Sequence, residues 1–389
     1  MRKKRILFVF GTRPEVVKLA PVIKVFRQDR SFDSIVAATG QHRQMLSQMT
    51  KSFGIKVDHN LDLMTDNQTL SHLTQSALVG LDRLYGRLGP DLVMLQGDTT
   101  TVMAGALAAF YSKIPVAHVE AGLRSFDMAN PYPEEFNRIM ADRLSALRLA
   151  PTPRAKDNLI KEGLDPKTIF VTGNTAVDAL QWFAGTPWSF EKPALRRLFS
   201  LNSQMKNVKL ILVTAHRREN FGRPFVEICQ AIRQIARRHP RVHIIYPVHS
   251  NPNVRQTAAK ILKGVPRITL LDPLGYRDFM ELMKRSYLVL TDSGGIQEEA
   301  PALAKPVLIL RKVTERPEAV EAGCARLMGE LSAGKISKAA GELLENPQAY
   351  RRMARVANPF GDGKASERIL ALAKRFFGFE ANFQEFRPV

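Results

Sequence analysis

Short runs of Val, Ile and Leu that do not alternate with polar residues set the strongest limit on how this chain can fold. RILFVFG, SIVAATG, LVMLQGD, PVAHVEAG, LRLAPT and IFVTGN come first, and LILVTAH, VHIIYPVH, ITLLDP, LVLTDS and PVLIL follow after a gap. A strand with one face in water alternates apolar and polar residues, whereas one covered on both faces reads as continuous apolar sequence. Amphipathic segments lie between the runs, among them 16–28, 70–88, 99–112 and 224–239. Strand, helix, strand, repeated, predicts parallel sheets with helices on both sides. The expected class is α/β, with two doubly wound Rossmann-like domains. Residues 1–174 make the first, completed by a C-terminal helix over 366–389, and 175–365 make the second. The gap, WFAGTPWSFEKPALRRLFSLNSQMKN at 182–207, has two prolines and no strand pattern.

Nearly every run ends in a chemically useful residue. GTR carries Arg13, GQHR His42, QGD Asp98 and VEAG Glu120; later TAH carries His216, PVH His249 and TDSGG Ser293. Open parallel sheets bind ligands beyond the carboxyl ends of their strands. Two such domains facing a central cleft would gather these groups around one ligand.

The sharpest of these endings is LTDSGGIQEEA, a strand, a turn and a helix start. One glycine is enough for a turn, so Gly294 and Gly295 point to something approaching the backbone. The amides from Ser293 through Gly295 open a helix and lack intrahelical partners, and with the helix dipole they favour an anion, most naturally phosphate. The pattern is neither G-x-G-x-x-G nor a Walker loop. Glu299, one turn further on, is at a reach that suits ribose hydroxyls, so the expected ligand class is a nucleoside diphosphate. Arg316, in RKVTERPEA, either clamps the diphosphate or forms a surface salt bridge; residue type alone leaves both open.

In the first half, FGTRPEVVKLAP places Arg13 at a strand-to-helix turn and Lys18 about one turn later. Asp98 follows a strand and precedes capping threonines. Glu120 precedes a glycine, where a capping role explains it poorly. Glu134 and Arg138 lie four apart on one helix face. Three carboxylates (Asp98, Glu120, Glu134), several cations and His216 suit acid–base work beside a phosphorylated leaving group. The eight histidines and two cysteines show no metal-ligand spacing, and no nicotinamide fingerprint follows the first strand. No metal and no cofactor are expected.

Lys and Arg number 57 against 37 Asp and Glu, a net charge of +20. These residues are scattered and not interleaved with stacking aromatics, which argues against nucleic acid as a partner. The N-terminal RKKR followed by ILFVF imitates a signal peptide, but five apolar residues are too few. No run reaches the roughly 18 apolar residues of a membrane span. Isolated cysteines fit a reducing compartment, so a cytoplasmic protein is expected.

FGTRPE, TGQHRQML, QGDTTT, HVEAGLR, PEEFNR, HRREN, YPVHSNPNVR, LTDSGGIQEEAP and TERPEA, in that order over nearly the whole chain, resemble the bacterial non-hydrolysing UDP-N-acetylglucosamine 2-epimerases. The resemblance implies a two-domain GT-B-like fold. It implies reversible conversion of UDP-N-acetylglucosamine to UDP-N-acetylmannosamine by elimination of UDP to 2-acetamidoglucal and re-addition, without nicotinamide or metal. On that resemblance Asp98, Glu120 and Glu134 are the catalytic carboxylates and His216 assists at the phosphate. Arg13, Lys18 and Arg138 are site residues, and Gln41, Gln44, Arg217 and His249 bind a second UDP-N-acetylglucosamine as activator. It also implies a homodimer. Gln96, where a histidine often precedes GD, and Ala215, where some members have glycine, depart from the pattern without removing a charged group.

Overall fold

The computed structural model describes residues 2–40, 43–63, 68–200, 205 and 207–388, and in the helix Arg43–Ser52 only the side chains of residues 46 and 49–52. The chain divides into two compact units, residues to Ala179 with Phe360–Pro388, and Leu180–Pro359.

In the first unit the strands are β1 (Lys4–Phe10), β2 (Phe32–Ala38), β3 (His59–Asn60), β4 (Leu92–Gln96), β5 (Val116–Val119), β6 (Leu147–Ala150) and β7 (Ile169–Val171). They form one sheet in the order β3-β2-β1-β4-β5-β6-β7, with every neighbouring pair parallel. Ile6 to Phe10 on β1 and Leu92 to Leu95 on β4 are fully buried, as expected for strands covered on both faces. The chain runs outward from β1 to β3 and returns to lay β4 beside β1. The loops after β1 and β4 therefore diverge at the reversal of strand order, the place where such sheets bind ligands.

The second unit repeats the plan with β8 (Lys209–Thr214), β9 (Val242–Pro247), β10 (Ile268–Leu271), β11 (Leu288–Thr291), β12 (Val307–Ile309) and β13 (Ala325–Leu327). Its order is β10-β9-β8-β11-β12-β13, again parallel. Here the reversal falls between β8 and β11, so the loops carrying His216 and Ser293 flank it. Cys229 and Cys324 are both buried and unpaired. No helix among the described residues is long and apolar enough to cross a membrane.

The expected C-terminal helix is shorter than 366–389. It spans Ala365–Phe376 and stops just before Gly378, whose φ of +78° lies in the left-handed region. The chain then runs without helix along β7, where the Phe386 N–H donates to the Val171 carbonyl at 2.9 Å and Glu385 accepts from the Val171 N–H at 3.0 Å. Residues 175–179 and 360–365 belong by contact with the first unit. The Asn174 N–H donates to Phe360 at 2.7 Å, and Asp178 accepts from the Ala365 and Ser366 amides at 3.3 and 2.7 Å.

Candidate active site

The β1–helix turn begins the first unit's site. Thr12 is the N-cap of the helix Arg13–Gln28, and Glu15 reaches back from its first turn to accept from the Thr12 amide at 2.9 Å. Glu15 reaches further than a cap needs. Its buried carboxyl also accepts from the Gly11 amide and from the Thr99 hydroxyl at 2.5 Å, so it ties the β1 turn to the loop after β4. Burial pushes its pKa up to about 7 against the pull of these donors. Arg13, half-buried, is the first residue of that helix.

Lys18, about one turn on, forms an ion pair with Glu120, and the Gln96 amide donates to the other Glu120 oxygen. Both oxygens of that carboxylate are held, and Glu120 itself sits at φ +70°, a left-handed conformation unusual for a residue with a side chain. Asp98 pairs with Arg138, and the Asn137 side chain donates to the Asp98 carbonyl at 3.0 Å. Arg138 does not pair with Glu134, four residues before it. Its second partner is Glu135 at 2.8 Å, a buried carboxylate that also accepts from the Ser125 and Phe126 amides. Glu134 stands half-buried at the start of the helix Glu134–Leu144. The sheet thus brings Lys18, Gln96, Asp98, Glu120 and Arg138 together at the ends of β1, β4 and β5.

In the second unit a buried carboxylate organises the site. Asp292 accepts from the His216 and Arg217 amides, both at 2.8 Å, and from the Asn220 side chain at 3.0 Å. This fastens the loop after β8 to the loop after β11. The His216 imidazole stacks on His249, with ring centres 5.1 Å apart and planes 13° from parallel. Burial lowers the His216 pKa and outweighs the opposite pull of Asp292, with His249 and Arg217 adding to the lowering. The ring is therefore neutral near pH 7, with one donor and one acceptor nitrogen.

The helix Gly294–Ala302 starts where the glycines predict, with Ser293 as its N-cap. The set of anion-facing amides differs from expectation. The Ser293 N–H is taken by the Thr291 hydroxyl at 2.9 Å, so only the first-turn amides from Gly294 onward lack intrahelical acceptors. Arg316 lies beside them: a Cβ added at Gly294 would stand 3.0 Å from its guanidinium carbon. Arg316 is anchored to the buried Glu298 at 2.8 Å and to Glu315 at 3.4 Å. Burial opposes charge on Glu315, but Arg311 and Arg316 hold its pKa down to about 2. Of the two glutamates in this helix, Glu298 is committed to Arg316; Glu299 is nearly buried one residue further.

Gln41 and His42 lie outside the described residues, as does the side chain of Gln44. Among the described residues no group of three or more His, Cys, Asp or Glu is arranged to hold a metal ion.

A family model described as UDP-N-acetylglucosamine 2-epimerase matches residues 24–374. The chain belongs to the UDP-N-acetylglucosamine 2-epimerase family. It is an isomerase with two parallel-sheet α/β domains of the GT-B-like class. The UDP-N-acetylglucosamine 2-epimerase of Yersinia pestis is 48% identical over 374 residues, covering 95% of this chain and 98% of the relative. The structure of S. aureus MnaA with UDP matches with a TM-score of 0.87 at 42% identity, over 99% of this chain and all of that one. The Neisseria meningitidis UDP-GlcNAc 2-epimerase bound to UDP-GlcNAc matches with a TM-score of 0.85 at 41% identity, over 95% and 100% of the two chains.

Against this epimerase frame, sequence reasoning missed Glu15, Asp292 and Glu135. Glu15 had a signal, the Thr12-x-x-Glu15 capping box. Asp292 had a weaker one, an acidic residue closing an apolar run.

Proposed function

We propose that this chain interconverts UDP-N-acetylglucosamine and UDP-N-acetylmannosamine without hydrolysis, by elimination and re-addition of UDP. A base takes the hydrogen at C2, the C1–oxygen bond breaks with its electron pair leaving on UDP, and a C1–C2 double bond forms. UDP oxygen then returns to C1 while a proton is delivered to C2 on the opposite face.

The observation that carries this reading is the division of chemistry between the two units. The second unit offers first-turn amides at Gly294 and Gly295 beside Arg316, a site where charge growing on a departing diphosphate is stabilised. Ser293 contributes its hydroxyl, Glu299 takes the ribose, and neutral His216 donates a hydrogen bond to the phosphate. The first unit offers carboxylates whose charge is set by Lys18 and Arg138, with Arg13 adding positive charge. Asp98 or Glu120 works at C2 and Glu134 serves the opposite face. Glu120 is gripped on both oxygens, while Asp98 has a side chain 31% exposed and a single arginine partner.

A second UDP-N-acetylglucosamine activates the enzyme through Gln41, Gln44, Arg217 and His249. The contact of His249 with His216 supports such coupling. The enzyme acts as a homodimer in the cytoplasm; two buried, unpaired cysteines accord with that compartment.

Product analysis tests the reading. Incubation with UDP-N-acetylglucosamine alone gives UDP-N-acetylmannosamine, with free UDP far below one per turnover. Stoichiometric UDP with free N-acetylmannosamine would show a hydrolase, and an inert donor that reacts only with an added acceptor would show a glycosyltransferase.

A further inference from the structure

Next to the carboxylate site, β5 carries a fully buried histidine, His118. Its Nε2 lies 2.7 Å from the Gly97 carbonyl oxygen and its Nδ1 2.7 Å from an Asp142 oxygen. A carbonyl oxygen only accepts, so Nε2 carries a proton. Asp142 is ionised, because its other oxygen takes Arg124 at 2.8 Å and the Gly122 amide at 3.2 Å. An ionised carboxylate also only accepts, so Nδ1 carries a proton too. With both nitrogens donating, the ring is an imidazolium. Arg124 closes the cluster on Glu162 at 2.6 and 2.8 Å, which balances two positive charges against two negative ones. Burial opposes the charge on His118, but Asp142 and the Gly97 carbonyl overcome it and its pKa stands above the ordinary value.

Two loops hang on this pair. Gly97, in a left-handed conformation at φ +87°, immediately precedes Asp98. Gly122 comes two residues after Glu120, and its amide is held by Asp142 while its carbonyl accepts from Asn158 at 3.0 Å. A side chain at position 122 would overlap the Ala155 carbonyl, so that loop has no slack. We propose that His118, as an imidazolium, is the positioning residue that sets Asp98 relative to Glu120. It acts through Gly97 and Asp142, and the proposal rests on reading Asp98 and Glu120 as catalytic carboxylates, one of which works at C2. A neutral ring would turn a lone pair toward either the Gly97 carbonyl or the Asp142 carboxylate and displace one of the two loops. The other charged groups around the ring are Arg124 from the loop after β5 and Arg148, its register partner on β6, which donates to the Asp142 carbonyl at 2.7 Å.

Nitrogen NMR of the full-length, histidine-labelled protein reads the ring directly. The expected result at pH 8, well above the ordinary histidine pKa of about 6.5, is a His118 ring protonated on both nitrogens. One bare nitrogen overturns the proposal, and this readout needs neither a variant nor activity. In kinetics, His118→Gln should lower kcat about 100-fold while KM and UDP affinity stay within about threefold, the loss expected when an acid–base group is misplaced. In an Asp98→Asn background the same change should cost less than about threefold, since little remains for it to position. Independent, multiplying losses, or a His118→Gln enzyme of normal kcat, overturn the proposal. Full turnover in Asp98→Asn alone would instead remove Asp98 from the acid–base reading, whatever the ring's protonation.

Discussion

Gly295→Ala separates the ligand's needs from those of the fold. A Cβ at position 295 meets no atom of the described residues within 4 Å beyond its own helix backbone, and Gly295 is not among the residues with positive φ. Inside a helix Ala is better than Gly by about 0.5–1 kcal/mol. In a domain of this size 1 kcal/mol moves Tm by about 2–4 °C, so the free variant should melt about 1–4 °C higher. The same methyl would stand where diphosphate oxygens approach the first-turn amides. Losing one charge-assisted hydrogen bond costs about 1.5–3 kcal/mol, which is about tenfold to a hundredfold in the Kd for UDP. Thermal melts without ligand and calorimetric titration with UDP measure the two effects separately, and they should have opposite signs. A stabilised variant with unchanged UDP affinity would refute diphosphate binding at these amides. Gly294 is the poorer test, because a Cβ there presses on Arg316 and through it on the buried Glu298.

Asp98→Asn and Glu120→Gln should each lower turnover about 100-fold or more, the scale of lost acid–base catalysis; steady-state assays showing near-normal turnover would remove that residue from the mechanism. The folded-state pKa of Glu15 is raised from 4.5 to about 7, so its contribution is complete below about pH 4.5 and is lost as pH rises through about 7. Urea unfolding at pH 5 and pH 8 should show wild type losing on the order of 2–3 kcal/mol more than Glu15→Gln over that interval, and equal losses would contradict the assignment. Asp178→Ala leaves the Ala365 and Ser366 amides without their acceptor, at a cost of about 1–3 kcal/mol. Hydrogen exchange across 365–376 should speed up accordingly, and unchanged protection would show that Asp178 does not hold this helix.

The apolar runs made both sheets legible because parallel strands buried on two faces leave a continuous signature. Two edge strands escaped: β3, with only two residues, and β13, whose three residues are interrupted by Arg326 and so leave no apolar run. The strand endings located Asp98, Glu120, His216 and the Gly294–Gly295 turn, since local chain direction places them. What the sequence could not disclose depends on partners distant in the chain. Glu15 meets Thr99, Asp292 meets His216 and Arg217, and Arg138 prefers Asp98 and Glu135 to Glu134. Ser293 misleads for a local reason: its amide looks available to an anion until the hydroxyl of Thr291, two residues back, is seen to occupy it.

The central claim is that the C2–hydrogen bond breaks and reforms while UDP departs and returns. Turnover of UDP-N-acetylglucosamine in heavy water, followed by proton NMR or mass spectrometry of the sugar, tests it most directly. The account predicts UDP-N-acetylmannosamine carrying deuterium at C2. Product that retains its original hydrogen at C2 would contradict it.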